Sequence, residues 1–308
     1  MLRLLILRGG ALGDFLVTLP AIALLRERWP DAEIELIGNP VAAALAQKRG
    51  LVDRVHPQSS ARWRPLHGRE PLPPDLHAWL STFDLVLSFQ PDPAGDLAAR
   101  FPLRHGQSFL TGPPHPKVGP AAAHYCAPLR QLGLQPKALV HPLAPLAPPN
   151  AGPRPVLIHP GSGSPRKNWP CARWLELAAQ LPGPVTLLLG EAELARPLPA
   201  ALAAARAARA NCLPLGGREL DLLWEPCLEE LLRCLAGARF FLGHDSGVSH
   251  LAACAGQPGL LLFGPTDPAI WKPPVANVSA LRPSGGLESL TVPQVLAAVG
   301  PLLERASA

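Results

Sequence analysis

Six cysteines are spread over positions 126, 171, 212, 227, 234 and 254, and no two of them stand as CxxC. Neither a zinc ribbon nor a redox dithiol is signalled. Lysine is scarce, occurring only at Lys48, Lys117, Lys137, Lys167 and Lys272, so the basic charge is mostly arginine. A formal net charge of +5 suits anionic ligands or an anionic membrane surface. It is too modest and too scattered to argue for nucleic acid. No apolar run approaches the length of a transmembrane helix. The opening MLRLLILRGG is too short an apolar run for a signal peptide and leads straight into a strand, which predicts a cytoplasmic protein.

The 308 residues suffice for two domains of ordinary size, and 48% apolar content supplies a full core. The abundant proline and alanine look like coding bias and carry little functional information. Proline crowds Pro136–Pro155, a stretch without periodicity and the best linker in the chain. It divides an N-terminal domain, residues 1–150, from a C-terminal domain, residues 151–308.

Leu2–Leu7 reads as a buried strand, Arg8–Gly13 (RGGALG) as a glycine-rich turn, and Asp14 opens a helix to about Trp29. The turn has GxxxGD where a dinucleotide site has GxGxxG, so no nicotinamide site is expected. Asp14 is either a first-turn residue complementing the helix dipole or a general base at the sheet's carboxyl edge. His56–Pro74 reads as an irregular basic loop holding Arg62, Trp63 and Arg64. It is either a solvated surface or a grip for an anionic or sugar-bearing acceptor.

In the second half, Val156–His159 is a strand followed by HPGSGSPRKNWP, residues 159–170. Its glycines and serines, Ser162 and Ser164 among them, let backbone amides approach a phosphate. Lys167 faces the positive end of the next helix, a conflict that an intervening anion resolves. Glu191–Arg209 reads as a helix broken at Pro197–Pro199, and Glu191 or Glu193, just past a strand end, is a candidate ribose ligand.

The apolar run Phe240–Gly243, the polar turn His244–Gly247, the helix Val248–Ala255 and the strand Gly259–Phe263 make one βαβ unit. A helix N-terminus at the carboxyl end of a strand is a natural diphosphate site. Asp245 or Ser246 is alternatively a plain helix cap. Ser246, Ser249 and His250 face the same end. Val275–Leu281 is an expected edge strand, and Thr291–Glu304 an expected closing helix.

Three motifs together resemble the bacterial heptosyltransferases, glycosyltransferase family nine: GGALGDFLVTLP from Gly9, HPGSGSPRKNWP from His159, and GHDSGVSHLAACAGQPGLLLFGPTDP from Gly243. The resemblance spans nearly the whole chain. It implies an α/β GT-B fold, two Rossmann-like doubly wound domains facing across a cleft. The N-terminal domain would bind the acceptor and the C-terminal domain the nucleotide sugar, with the last helix a candidate to pack back on the N-terminal domain. By that resemblance Asp14 is the catalytic base and Lys167 the cation on the donor phosphates. Asp245, Ser246, Gly247 and His250 form the donor turn, Ser162 and Ser164 flank the diphosphate, and Gly13 joins Arg62, Trp63 and Arg64 on the acceptor side.

The implied reaction is an inverting transfer from an ADP-heptose or related ADP-sugar to a lipopolysaccharide-type, anionic lipid-linked saccharide. The donor is a substrate, and no cofactor is expected. No DxD-like acidic cluster occurs, which favours a metal-independent mechanism. The enzyme would sit in the cytoplasm, with peripheral contact at the inner membrane face. Competing readings are another NDP-sugar donor on the same fold, a non-catalytic nucleotide-sugar-binding scaffold and, more distantly, a dinucleotide dehydrogenase.

Overall fold

The computed structural model describes residues 1–149 and 151–307, and the chain divides into two compact units, Met1–His141 and Pro142–Ala308. The division falls inside the proline-rich stretch. Asn150 and Ala308, the last residues of the two expected domains, lie outside the described residues.

The first unit alternates strands and helices: β1 (Arg3–Arg8), α1 (Leu12–Arg28), β2 (Glu33–Gly38), α2 (Pro40–Gln47), β3 (Arg54–Pro57), α3 (Pro74–Leu80), β4 (Leu85–Ser88), α4 (Asp96–Arg100), β5 (Ser108–Thr111) and α5 (Ala121–Cys126). The strands form a parallel sheet in the order β3-β2-β1-β4-β5. Leu4–Leu7 are all buried because a parallel strand is covered on both faces. One face packs Leu5, Leu7 and Ile37 against Leu76, Leu80 and Phe83. On α1, every position from Phe15 to Ile22 is buried, Pro20 included, so the helix lies inside the unit and not on its rim.

The segment expected as an irregular loop, His56–Pro74, is partly ordered. Ala61–His67 is a 3₁₀ helix with Trp63 and Leu66 buried in the core. After α5 ends at Cys126, Ala127–Leu132 is a 3₁₀ helix, with Pro128 at its start.

The second unit contains β6 (Val156–Ile158), α6 (Cys171–Gln180), β7 (Val185–Leu189), α7 (Glu191–Leu194), α8 (Ala200–Ala207), β8 (Cys212–Leu215), β9 (Arg218–Trp224), α9 (Leu228–Gly237), β10 (Phe240–His244), α10 (Gly247–Cys254), β11 (Gly259–Leu262), α11 (Pro268–Trp271), β12 (Val278–Leu281) and α12 (Val292–Ser307). The strand order is β12-β11-β10-β6-β7-β9-β8, parallel except for the β8–β9 pair at one edge. The apolar side of α12 (Val292, Val295, Val299, Leu303) shares a core with Trp174 and Leu177 of α6. The last helix therefore completes the core of its own unit.

Both sheets start in the middle and grow outward in both directions. In the first unit the order reverses between β1 and β4, and in the second between β6 and β10. Such reversals leave a crevice beyond the carboxyl ends of the two strands, where α/β proteins hold ligands. The polar motifs read from the sequence follow β1, β6 and β10.

Candidate active site

In the first unit, the turn after β1 carries Gly9, Gly10 and Ala11 into α1. Gly10 has φ +109°, and a Cβ there would overlap the Asp14 carboxylate. Only glycine lets the chain pass so close to that side chain. Asp14 sits at the third helical position, where Oδ2 accepts from the Ala11 amide at 3.0 Å. Its Oδ1 lies 3.1 Å from Nη2 of Arg8, a buried guanidinium, while 38% of the Asp14 side chain stays exposed. Cap and candidate base are thus the same carboxylate, with lone pairs left over for a hydroxyl.

Gln58, at the carboxyl end of β3, accepts from the Gly10 amide at 3.0 Å. The Arg8 guanidinium stacks 4.4 Å from the Tyr125 ring. Burial pushes the Tyr125 phenol above its ordinary pKa, with Asp14 adding to the rise and Arg8 opposing it. Arg8 opens the glycine-rich turn and Tyr125 belongs to no motif in the sequence, and their contact appears only with the packing of α1 against α5.

Gly13 lies in the first turn of α1, close to this corner. The three residues of the 3₁₀ helix fare differently. Trp63 is 6% exposed and donates Nε1 to Pro57 O at 2.8 Å, so it is a core residue and offers no free stacking face. Arg62 spans the rings of Trp63 and Trp79 at 5.6 and 5.3 Å, and Arg64 is exposed.

In the second unit, the turns after the adjacent strands β6 and β10 meet. Lys167 Nζ lies 2.7 Å from Asp245 Oδ2. The ammonium is 30% exposed and the carboxylate 6%, so a nearly buried anion anchors a cation that still reaches solvent. Ser246 caps α10, its Oγ accepting from Ser249 N at 3.4 Å. The first-turn amides of Gly247 and Val248 have no acceptor inside the helix and carry its positive end. His250 is buried one turn along α10.

What aligns Lys167 with Asp245 is a pair of residues that the sequence did not single out. The Trp169 amide donates to Nε2 of His244 at 2.7 Å, tying one turn to the other. Trp174 meets the His244 ring edge-on at 5.2 Å and Trp169 at 5.1 Å. Burial, helped by His159, pushes the His244 pKa down to about 3, so its imidazole is neutral and free to accept that bond.

Two expected ligands are turned elsewhere. Ser162 is 2% exposed, and its hydroxyl, with one proton to donate, is engaged within the turn, 2.6 Å from Asn168 Oδ1 and 2.9 Å from Ser164 O. It shapes the turn, whereas Ser164 remains partly exposed beside it. Glu193 is also buried, its Oε2 accepting from Gly190 N at 2.7 Å and lying 3.4 Å from His159 Nε2. Burial alone would raise its pKa, but the hydrogen bond and charge of His159 outweigh that and hold it below the usual carboxylate range. Glu193 thus braces the phosphate-type turn from beneath, and of the two glutamates only Glu191 is exposed. Among the described residues no group of three or more His, Cys, Asp or Glu is placed to hold a metal ion, and no helix is long and apolar enough to cross a membrane.

Two Rossmann-like units, with polar turns at the carboxyl ends of their strands, have the fold of the GT-B class. The same fold is found in a glycosyl transferase family 9 protein from Veillonella parvula (TM-score 0.72, 19% identity, covering 98% of this chain and 97% of that one). It is also found in the E. coli heptosyltransferase WaaC solved with ADP-2-deoxy-2-fluoro heptose (TM-score 0.69, 22% identity, 97% and 99%). By sequence, the chain is 28% identical over 300 residues to lipopolysaccharide heptosyltransferase 1 of Salmonella typhimurium, covering 87% of this chain and 90% of the relative. Residues 131–286 match the family described as glycosyltransferase family 9 (heptosyltransferase). The chain belongs to that family.

Proposed function

We propose that this enzyme transfers a heptose from an ADP-sugar to a lipopolysaccharide-type glycolipid, with inversion at the anomeric carbon and without a metal ion. The observation that carries the reading is the Lys167–Asp245 pair beside the open first turn of α10. A side-chain cation and backbone amides converge there on one small region, the arrangement that holds a diphosphate and takes up the charge growing on it. The WaaC structures contain ADP and an ADP-heptose analogue, and curated relatives are named for lipopolysaccharide, which supports ADP-heptose as donor and an anionic lipid-linked saccharide as acceptor.

In this reading the second unit binds the donor. Lys167 and the amides of Gly247 and Val248 hold the diphosphate, with Ser164, Ser246 and His250 around it and Glu191 toward the ribose. The first unit binds the acceptor, with Gly13, Arg62 and Arg64 near its saccharide or phosphate groups. Asp14 removes the proton from the acceptor hydroxyl as that oxygen attacks the anomeric carbon. The C–O bond to the diphosphate breaks with its electron pair, and ADP leaves. General-base help of this kind contributes roughly 10²–10⁴ in rate. The work takes place at the cytoplasmic face of the membrane that carries the acceptor, which the enzyme meets peripherally.

The test is turnover by the purified chain on a heptose-free lipopolysaccharide acceptor, with ADP-heptose, UDP-sugars and GDP-sugars offered in parallel. Heptosylated glycolipid and ADP from the first donor alone support the reading. Turnover of another nucleotide sugar reassigns the donor, and binding without turnover marks a scaffold.

A further inference from the structure

Arg8 ends β1 with a side chain only 6% exposed, and that side chain is spent on the start of α1. Nη2 donates to Asp14 Oδ1 at 3.1 Å, and Nε is shared between Asp14 O at 3.1 Å and Thr18 Oγ1 at 2.9 Å. The flat guanidinium rests on the ring of Tyr125, itself fully buried. Tyr125 is fixed in turn: its hydroxyl donates to Pro114 O at 2.9 Å, and its ring meets Phe89 edge-on at 5.2 Å.

Capping α1 does not require any of this. The Ala11 amide alone satisfies the cap through Asp14 Oδ2, and a buried cation is costly to keep unless it is paired and hydrogen-bonded. What the cation adds is a second anchor. A carboxylate held at Oδ2 by an amide and at Oδ1 by a guanidinium has one orientation, and its remaining exposed edge is presented in one direction.

We infer that Arg8 is a positioning residue for the reaction, fixing the Asp14 carboxylate toward the acceptor hydroxyl, and that Tyr125 holds Arg8 in place. The inference rests on Asp14 being the base. Arg8 itself touches no substrate. Its planar fork supplies both direction and charge, two functions that a lysine at the same position would separate.

The experiment compares Arg8→Met, Arg8→Lys, Asp14→Asn and the double variant Arg8→Met/Asp14→Asn, using ADP-heptose and the glycolipid acceptor, with ADP affinity measured alongside. Arg8→Met is expected to lower kcat by about 10- to 100-fold, the scale of a misplaced catalytic group. ADP affinity and the KM values for donor and acceptor are unchanged, because Arg8 touches neither substrate. Arg8→Lys restores only part of kcat. In the Asp14→Asn background, Arg8→Met has no further effect.

Wild-type kcat in Arg8→Met overturns the inference. So does a rate loss that persists in the Asp14→Asn background, since that is a general structural effect. If Asp14→Asn alone keeps the wild-type rate, the base assignment fails and this inference with it. If Asp14→Asn loses the rate and Arg8→Met does not, only this inference fails. Should Arg8→Met not fold, Arg8→Lys decides: a lower kcat at unchanged ADP affinity supports the role, and a wild-type kcat refutes it.

Discussion

Lys167 and Asp245 stand seventy-eight positions apart in sequence, yet Nζ and Oδ2 meet at 2.7 Å because β6 and β10 are neighbours in the sheet. The nearly buried Asp245 holds the ammonium in place before any ligand arrives. A charge-assisted contact of this kind contributes roughly 1.5–3 kcal/mol, which corresponds to about 10- to 100-fold in affinity. Lys167→Ala is therefore expected to weaken ADP-sugar binding by that factor in calorimetry, whereas Lys48→Ala, on the other unit, leaves it unchanged. Equal effects of the two substitutions contradict the assignment.

Gly161 offers a sterically sharper test of the same turn. A Cβ built there falls 1.5 Å from Glu193 Oε1 and 2.3 Å from its Cδ, whereas one at Gly163 meets nothing within 4 Å. Glu193 cannot swing away freely, being held by the Gly190 amide and His159. Overpacking of this kind costs about 1–3 kcal/mol. Gly161→Ala should lower both the melting temperature and the ADP affinity, and Gly163→Ala neither. Thermal shift with and without ADP reads both.

Much of this was legible from residue order alone. The runs Leu4–Leu7 and Phe240–Leu242 announce buried parallel strands, and the glycine-serine turns behind them announce ligand edges. Other parts were not. The Gly216-Gly217 turn, with φ of +59° and +77°, joins β8 to β9 as a two-residue hairpin. That dipeptide is a hairpin signal, but flanking residues such as Pro214 and Arg218 are poor strand formers.

For Trp63 the sequence leaves a solvated surface and a sugar-stacking platform open, since nothing local distinguishes a solvent-facing tryptophan from one folded under a 3₁₀ turn. Glu191 and Glu193 are both candidate ribose ligands by their place after a strand end, but one turn of helix points Glu193 back beneath Gly161. The roles of Arg8 and His244 are not legible in the sequence for a different reason. Their importance lies in partners on other elements (Tyr125, Trp169), and spacing along the chain does not encode those contacts.

His244 makes the stability of the second unit depend on pH. Burial, with a smaller contribution from His159, holds its folded pKa near about 3, against 6.5 for an ordinary histidine. Between those values the unfolded chain binds a proton that the folded chain excludes, so this stabilisation is complete above pH 6.5 and declines as pH falls toward 3. The slope contributed is at most about 1.4 kcal/mol per pH unit. Glu35 and Glu193, whose folded pKa values are also lowered, act in the same direction. The wild type should therefore lose more stability between pH 7 and pH 4.5 than His244→Gln in denaturant titrations. Parallel losses in the two proteins contradict a buried neutral imidazole.

Charge on the departing diphosphate is assigned to Lys167 and the α10 amides, so chelation should be without effect. Turnover in excess EDTA is expected to match turnover in added magnesium or manganese. A loss on chelation that a divalent ion restores would move that share of catalysis to a metal.

The most direct test of the account is single-turnover transfer from ADP-heptose to the glycolipid by wild type and Asp14→Asn, with ADP binding measured on both. Asparagine keeps the cap to Ala11 and the side-chain size but cannot accept a proton. The account predicts equal ADP affinity and a transfer rate lower by roughly 10²–10⁴ in the variant. Transfer at the wild-type rate by Asp14→Asn would contradict it.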